Sequence, residues 1–367
     1  MQDIQKGNKE VFLLTSTAFP YIKDALDLLF LPSGVHYRFR YRRAWVPPEF
    51  LTKEGAKKLN GTKAIIVHIH TKKESEEAYK ILEYIPLREA KIDEVKVLGE
   101  FLWIGFVLGD WVHYHNATKA EELNEYHESF KRRVPKDYRE YVSKIIFFVD
   151  NFDIETVPDD PTGENEDIIK NWTQMATHIG NLEPHKDSIF TKILSIQDMN
   201  TRESISPTLF DEHITGYQLR GGRVYSIDVA QYYPGKEKIT PFDLNLITSG
   251  AIRPIKGEAE IKGKYDILNF IFDCRSTEKT LNTFMAFRVV QRTEYMISEP
   301  FFNLRIKGAW RKVASSLVMF GIGVILTNIS AQLVEIMAGK PVNVAVVSAA
   351  VIGTISSTLG LFLLHKS

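Results

Sequence analysis

The chain has 367 residues, enough for two or three domains, and its 44% hydrophobic and 25% charged content excludes wholesale disorder. Lys plus Arg and Asp plus Glu balance at 46 each, which excludes a nucleic-acid binder with basic excess over its whole surface, so any anion site must be local. The single cysteine, Cys274, excludes an intramolecular disulfide and a cysteine-rich zinc site, and fits a reducing compartment.

The opening "MQDIQKGNKE" is polar and carries no signal peptide. "VFLLTSTAFPYIKDALDLLFLP" follows, broken by Pro20, Lys23, Asp24 and Asp27; it reads as a buried strand and then an amphipathic helix. In "VHYRFRYRRAWV", Val35 to Val46, Tyr37, Phe39 and Tyr41 alternate with His36, Arg38, Arg40 and Arg42. A strand here would show one aromatic and one cationic face. Two readings of the cationic face stay open. It is a solvated face, or one paired with acids on a neighbouring strand. Alternatively Arg38, Arg40, Arg42 and Arg43 form a wall for a phosphate-bearing ligand, since Arg forks suit phosphate and aromatics stack bases.

"TKAIIVHIHTK" and "GEFLWIGFVLGDWVHYH" read as strands from their β-branched and aromatic content. Residues 119–142 read as a helix with Leu123, Tyr126, Phe130 and Val134 on one side. The acidic stretch "DNFDIETVPDDPTGENED" contains proline and no basic residue, and reads as a linker; its spacing does not match a calcium-binding EF-hand. After Trp172 come a short helix and a strand-rich region with a Gly221-Gly222 hairpin turn between two alternating runs. The resulting division is 1–149, a mixed α/β sensing domain; 150–170, a linker; 171–298, a β-rich, sandwich-like domain; and 299–312, a juxtamembrane segment with Phe301, Phe302 and Trp310.

Residues 313–367 read as a transmembrane helical hairpin. Two apolar stretches, each longer than 20 residues and with at most one ionisable group, flank Lys340-Pro341. Arg305, Lys307, Arg311 and Lys312 precede the first stretch and Lys366 follows the second, which predicts a multi-pass inner-membrane protein with both termini cytoplasmic. Asn328, Gln332 and Glu335 form one helical stripe, read as pore-lining in an oligomer or as a group solvated near the interface. Gly321, Ala349, Gly353 and Ser357 are small residues placed for helix packing. The fold class expected is α+β, with a mixed first domain, a β-sandwich-like second domain and the hairpin.

No phosphate loop, HExxH, GxSxG, catalytic-cysteine setting or dinucleotide fingerprint occurs, so no enzyme, cofactor or metal is assigned. Two HxH pairs, His68/His70 and His113/His115, each put both imidazoles on one strand face. Neighbouring strands could gather them around a transition metal, or each pair is a solvent-facing stripe.

A β-rich cytosolic region joined to two spans resembles, in plan only, the membrane effectors of bacterial anti-phage systems. Residues 313–364 carry that resemblance and no family motif is matched. It implies oligomeric pore formation triggered by a nucleotide second messenger or a signal-generating partner protein, in contact with the lipid bilayer and without duplex nucleic acid. A CorA-type transporter is set aside because "IMAGKPVN" stands where its Gly-Met-Asn signature belongs. Two further hypotheses are a membrane-anchored binding or scaffold protein, with the hairpin as tether, and an enzyme with an unrecognised site.

Overall fold

The computed structural model describes residues 9–17, 21–75, 78–114, 120–150, 154–159, 166–211, 214–235, 237–277, 279–290, 293–299 and 301–308. The first half runs β1 (Lys9–Ser16), α1 (Asp24–Phe30), β2 (His36–Arg42), α2 (Lys53–Leu59), β3 (Lys63–Lys73), β4 (Tyr79–Leu98), β5 (Phe101–Val112), α3 (Ala120–Arg133), β6 (Ile146–Asp150), β7 (Thr156–Val157) and α4 (Glu166–Gly180). The second half is strand: β8 (Ser188–Asp198), β9 (Pro207–Asp211), β10 (Ile214–Arg220), β11 (Arg223–Tyr232), β12 (Phe242–Thr248), β13 (Ile252–Lys256), β14 (Glu258–Ile261), β15 (Tyr265–Cys274), β16 (Leu281–Val289), β17 (Met296–Ile297) and β18 (Phe301–Lys307).

The first sheet has the order β2-β5-β4-β3-β1-β6, with β7 added to β5. β1 runs parallel to β3, and the other pairs are antiparallel. Among the described residues β2 is thus an edge strand, with one neighbour to satisfy its backbone. In α1, Ala25, Leu26, Leu28, Leu29 and Phe30 are buried, and Asp24 and Asp27 stand at the helix start, where the dipole favours negative charge. α4 buries Ile168, Trp172, Met175, Ala176 and Ile179, the spacing of a one-sided apolar stripe.

α2 begins at Thr52, whose hydroxyl accepts from the Gly55 N–H at 3.0 Å and so satisfies a helix-end donor. Gly55 lies against the preceding turn, and a Cβ there would fall 1.8 Å from the Glu49 carbonyl oxygen. Gly55→Ala is therefore expected to destabilise by about 1–3 kcal/mol through forced backbone displacement. Urea denaturation measures it; an unchanged midpoint would show that the turn at residues 48–51 gives way freely.

The second half forms two sheets, β14-β12-β16-β18-β10-β9 and β13-β15-β11-β8-β17. Their inner faces meet, with Phe270 of β15 5.0 Å from Phe287 of β16. The runs on either side of Gly221-Gly222 do not pair as the expected hairpin. β10 and β11 belong to different sheets, and the turn carries the chain across. Gly222 adopts φ +73°, a conformation glycine takes without steric cost, and its N–H reaches the Cys274 carbonyl at 2.7 Å.

The two halves share one core. Phe30 of α1 lies 5.3 Å from Phe287, Ser298 Oγ donates to Asp27 Oδ1 at 2.6 Å, and the Trp172 indole N–H donates to the Leu29 carbonyl at 3.1 Å. Arg88 of β4 is fully buried and caps the end of α1 by donating to the Leu28 carbonyl at 3.3 Å and to the Leu31 carbonyl. It also donates to Asp159 Oδ2 at 3.2 Å, and Lys192 of β8 donates to Asp159 Oδ1 at 2.6 Å. Both cations lie over the Trp111 ring, at 4.1 and 5.1 Å from its centroid. Asp159 falls in the stretch read as an acidic linker; it is 8% exposed and fastens the two halves together.

Two expectations are corrected. The protein is mostly β and not α+β, because β4 and the strands around it make the first half a sheet as well. "EYIPLREAKIDEVKV" is rich in helix-forming Glu, Lys, Ala and Leu, yet it lies within the 20-residue β4, held by cross-strand pairing on both sides and interrupted by register shifts. A transmembrane hairpin is likewise not shown: among the described residues no helix is long and apolar enough to cross a membrane. Residues 313–367 lie outside the described residues, so multi-pass inner-membrane placement, pore and channel are left without structural support.

Candidate functional site

β2 forms over His36–Arg42 and its two faces separate as alternation requires. Phe39 and Tyr41 are each 1% exposed, and Phe39 packs on Phe106 of β5 at 4.9 Å in a T-shaped pair. The opposite face pairs Arg38 with Gly105, Arg40 with Trp103 and Arg42 with Phe101. One strand further on, Lys96 stands opposite Trp103 and Leu98 opposite Phe101. Arg40, Arg42, Lys96 and Leu98 are exposed, while Phe101 and Trp103 are half-buried.

The four predicted arginines differ in what they already touch. Arg38 donates to Glu94 Oε2 at 2.8 Å, reaching past β5 to an acid on β4. Glu94 is also paired with Lys96; burial raises its pKa, but Lys96 and Arg38 outweigh that and hold it below the usual carboxylate range. The Arg40 guanidinium stacks 4.8 Å from the Phe101 ring and 5.8 Å from Trp103. Among the described residues neither Arg40 nor Arg42 forms an ion pair. Arg43 lies past the strand end in a short 3₁₀ turn, with its guanidinium 3.4 Å from the Gly99 carbonyl. His36 pairs with Asp93 at 3.2 Å and is not a free cation of this face.

The result is an open sheet face with three basic strand positions, Arg40, Arg42 and Lys96, around two flat rings. The Arg40 guanidinium lies over the aromatics and, among the described residues, forms no ion pair. Such an arrangement can hold a phosphate by the guanidinium edge and an aromatic group by stacking. Sequence reasoning found the arginines but missed Phe101, Trp103 and Lys96. They lie on strands roughly 54 to 63 positions away, and only the β2-β5-β4 register brings them alongside.

The first histidine pair lies together, on one face of β3. His68 is fully buried and His70 is half-buried, directly opposite Glu83 of β4. His113 pairs with Glu155 at 3.6 Å, and its partner position 115 lies outside the described residues. The imidazoles that approach His68 and His70 come instead from α4 and the turn after it, His178 and His185, and His127 of α3 lies with its ring 5.4 Å from that of His178. Separations of 44 and 51 residues between Glu83, His127 and His178 form no local motif, so sequence spacing could not signal this group. Asn328, Gln332 and Glu335, and the packing residues Gly321, Ala349, Gly353 and Ser357, lie outside the described residues.

No protein-family model matches the chain, and no curated protein matches it. Among solved structures, the chain is similar in part to a Bacteroides ovatus GH5 xyloglucanase in complex with a XXXG heptasaccharide. That likeness is 11% identical, covers 25% of this chain and 17% of that chain, and has a TM-score of 0.16. At that score it carries no argument about fold or activity.

Proposed function

We propose that the protein is a binding protein that takes a phosphate-bearing ligand of nucleotide class on the open β2-β5-β4 face. The observation behind this reading is the pair of guanidinium groups, Arg40 and Arg42, that form no ion pair among the described residues and lie beside the half-buried rings of Phe101 and Trp103. Arg42 supplies an undedicated charge to phosphate, Arg40 a fork oriented by stacking, and Trp103 a ring edge and face for a base. Lys96 adds charge at the adjoining strand. The buried aromatic face of β2 keeps the arginine backbone fixed, so little conformational entropy is lost on binding.

Isothermal titration with ADP, a short single-stranded oligonucleotide and inorganic pyrophosphate tests the reading. Arg40→Ala and Arg42→Ala are each expected to weaken nucleotide binding about 10- to 100-fold, since a charge-assisted hydrogen bond is worth about 1.5–3 kcal/mol. Trp103→Ala should weaken nucleotide and leave pyrophosphate unchanged. Failure of every ligand to bind, or equal binding by the double Arg variant, would remove this function.

A further inference from the structure

We propose that Glu83, His127 and His178 form a binding site for a divalent first-row transition-metal ion of the zinc class. This site goes beyond the ligand face, from which it is separate. The three residues come from β4, α3 and α4, so the fold itself, and no local turn, assembles them.

The geometry is that of donors gathered about a point. Glu83 Oε1 lies 2.5 Å from His127 Nδ1 and 3.0 Å from His178 Nε2, and the three donor atoms all fall within 4.8 Å of one another. Ligand atoms about 2.0–2.2 Å from a tetrahedral ion stand about 3.3–3.6 Å apart, so the carboxylate and the two rings part by about 1 Å or less to admit one. Yet neither ring nitrogen of His127, nor His178 Nε2, has a hydrogen-bond partner among the described residues. The nitrogens are close to the carboxylate but are not aimed along its hydrogen-bonding directions. Two imidazoles placed to hydrogen-bond a carboxylate would be aligned with it; lone pairs converging on a shared ion would not.

The chemistry of the set also fits. Two imidazoles and one carboxylate match zinc and the ions near it, whereas calcium and magnesium require mostly oxygen donors. His70 stands directly opposite Glu83 in the β3–β4 register and can supply a fourth donor.

Independent support comes from the groups around the set. His68 is 0% exposed and neither of its ring nitrogens has a hydrogen-bond partner among the described residues, and the Tyr114 hydroxyl, 2% exposed, has none either. The Tyr114 ring lies 5.8 Å from His178, and the His68 ring 5.5 Å from His185. Buried polar atoms without partners are costly, and their concentration beside this one carboxylate points to a polar occupant at its centre.

The test uses the full chain without an affinity tag, stripped by chelator and titrated with Zn²⁺ and Co²⁺ at neutral pH, with Mg²⁺ as comparison. The parent is expected to bind one transition ion per chain, to show the visible d–d bands of bound Co²⁺, and to ignore Mg²⁺. Glu83→Gln and His178→Gln should each weaken binding by at least about 100-fold, since even outer partners of a metal site contribute about 10- to 100-fold. His36→Gln, at the separate Asp93 pair, should bind like the parent. Should the Gln variants fold poorly, His127→Cys settles the matter by a gained sulfur-to-cobalt charge-transfer band. Absence of stoichiometric Zn²⁺ uptake by the parent, equal uptake by Glu83→Gln, or no new band in a folded His127→Cys would overturn the proposal. None of these results depends on the arginine face.

Discussion

Asp159→Asn is expected to lower the unfolding free energy by about 3–5 kcal/mol, because it leaves two buried cations without their counter-charge. The side chains of Arg88, Asp159 and Lys192 are 0%, 3% and 3% exposed, so solvent screens little of the loss. Burial would raise the Asp159 carboxyl, but Lys192 and then Arg88 hold it at about 2. A carboxyl held below its unfolded value of about 3.9 contributes stability in full above that pH, and loses it as pH falls through about 2. The urea midpoint should therefore fall sharply in the variant at pH 7 and converge toward the parent near pH 2. A triple variant separates the cost of breaking the triad from its net worth. Changing Arg88, Asp159 and Lys192 together to Met, Leu and Met is expected to recover part of the loss and not all of it, because the buried charges are gone but the Leu28 and Leu31 carbonyls lose the donor that capped them. If Asp159→Asn unfolds with the parent's midpoint at pH 7, the triad does not fasten the halves.

The second large effect has the opposite sign. Asp24 and Asp27 sit one turn apart on α1, half-buried, and burial first and the neighbouring Asp27 second push the Asp24 carboxyl up to about 8. Asp27 is also raised, by burial, while Ser298 and Tyr37 donate to it and lower it in part. A carboxyl raised above its unfolded value favours the fold while protonated. It opposes the fold progressively as pH climbs from about 4 through about 8. Asp24→Asn keeps the shape and removes the charge, so it should stabilise by roughly 2–4 kcal/mol at pH 8 and by little at pH 4. The hydrogen bond it disturbs, from Thr15 Oγ1 at 3.5 Å, is long and contributes little. Thermal unfolding of both proteins at the two pH values measures the effect. Parallel pH profiles for parent and variant would show that Asp24 does not carry this charge cost.

What was legible in the sequence follows a physical divide. "VHYRFRYRR" could be read because alternation is local: its period of two fixes a buried and an exposed face without knowledge of any neighbour. The identity of that neighbour was not local, so Trp103 and Phe101 stayed invisible until the register was known. β4 was missed because its composition favours helix while its pairing overrides it. Arg88 and Asp159 were missed for another reason. Charged residues are almost always solvated, and nothing in a single sequence marks the pair that is buried because it finds a partner. The histidines show both cases at once. His68 and His70 were visible as an HxH pair, but Glu83, His127 and His178 meet only through the packing of α3 and α4 against β4.

The order of strands in the second half also bears on how the protein is made. β17 pairs in parallel with β8, joining residues 296 and 188, and β18 pairs in parallel with β10, joining 304 and 217. β18 is also the central bridge between β16 and β10. While the chain emerges from the ribosome, every earlier strand of that sheet can exist, yet its middle stays vacant until residue 307 is out. Until then β10 and β16 present bare hydrogen-bonding edges to whatever is nearby. Closing loops of this length is slow, so the nascent second half spends its most vulnerable interval nearly complete.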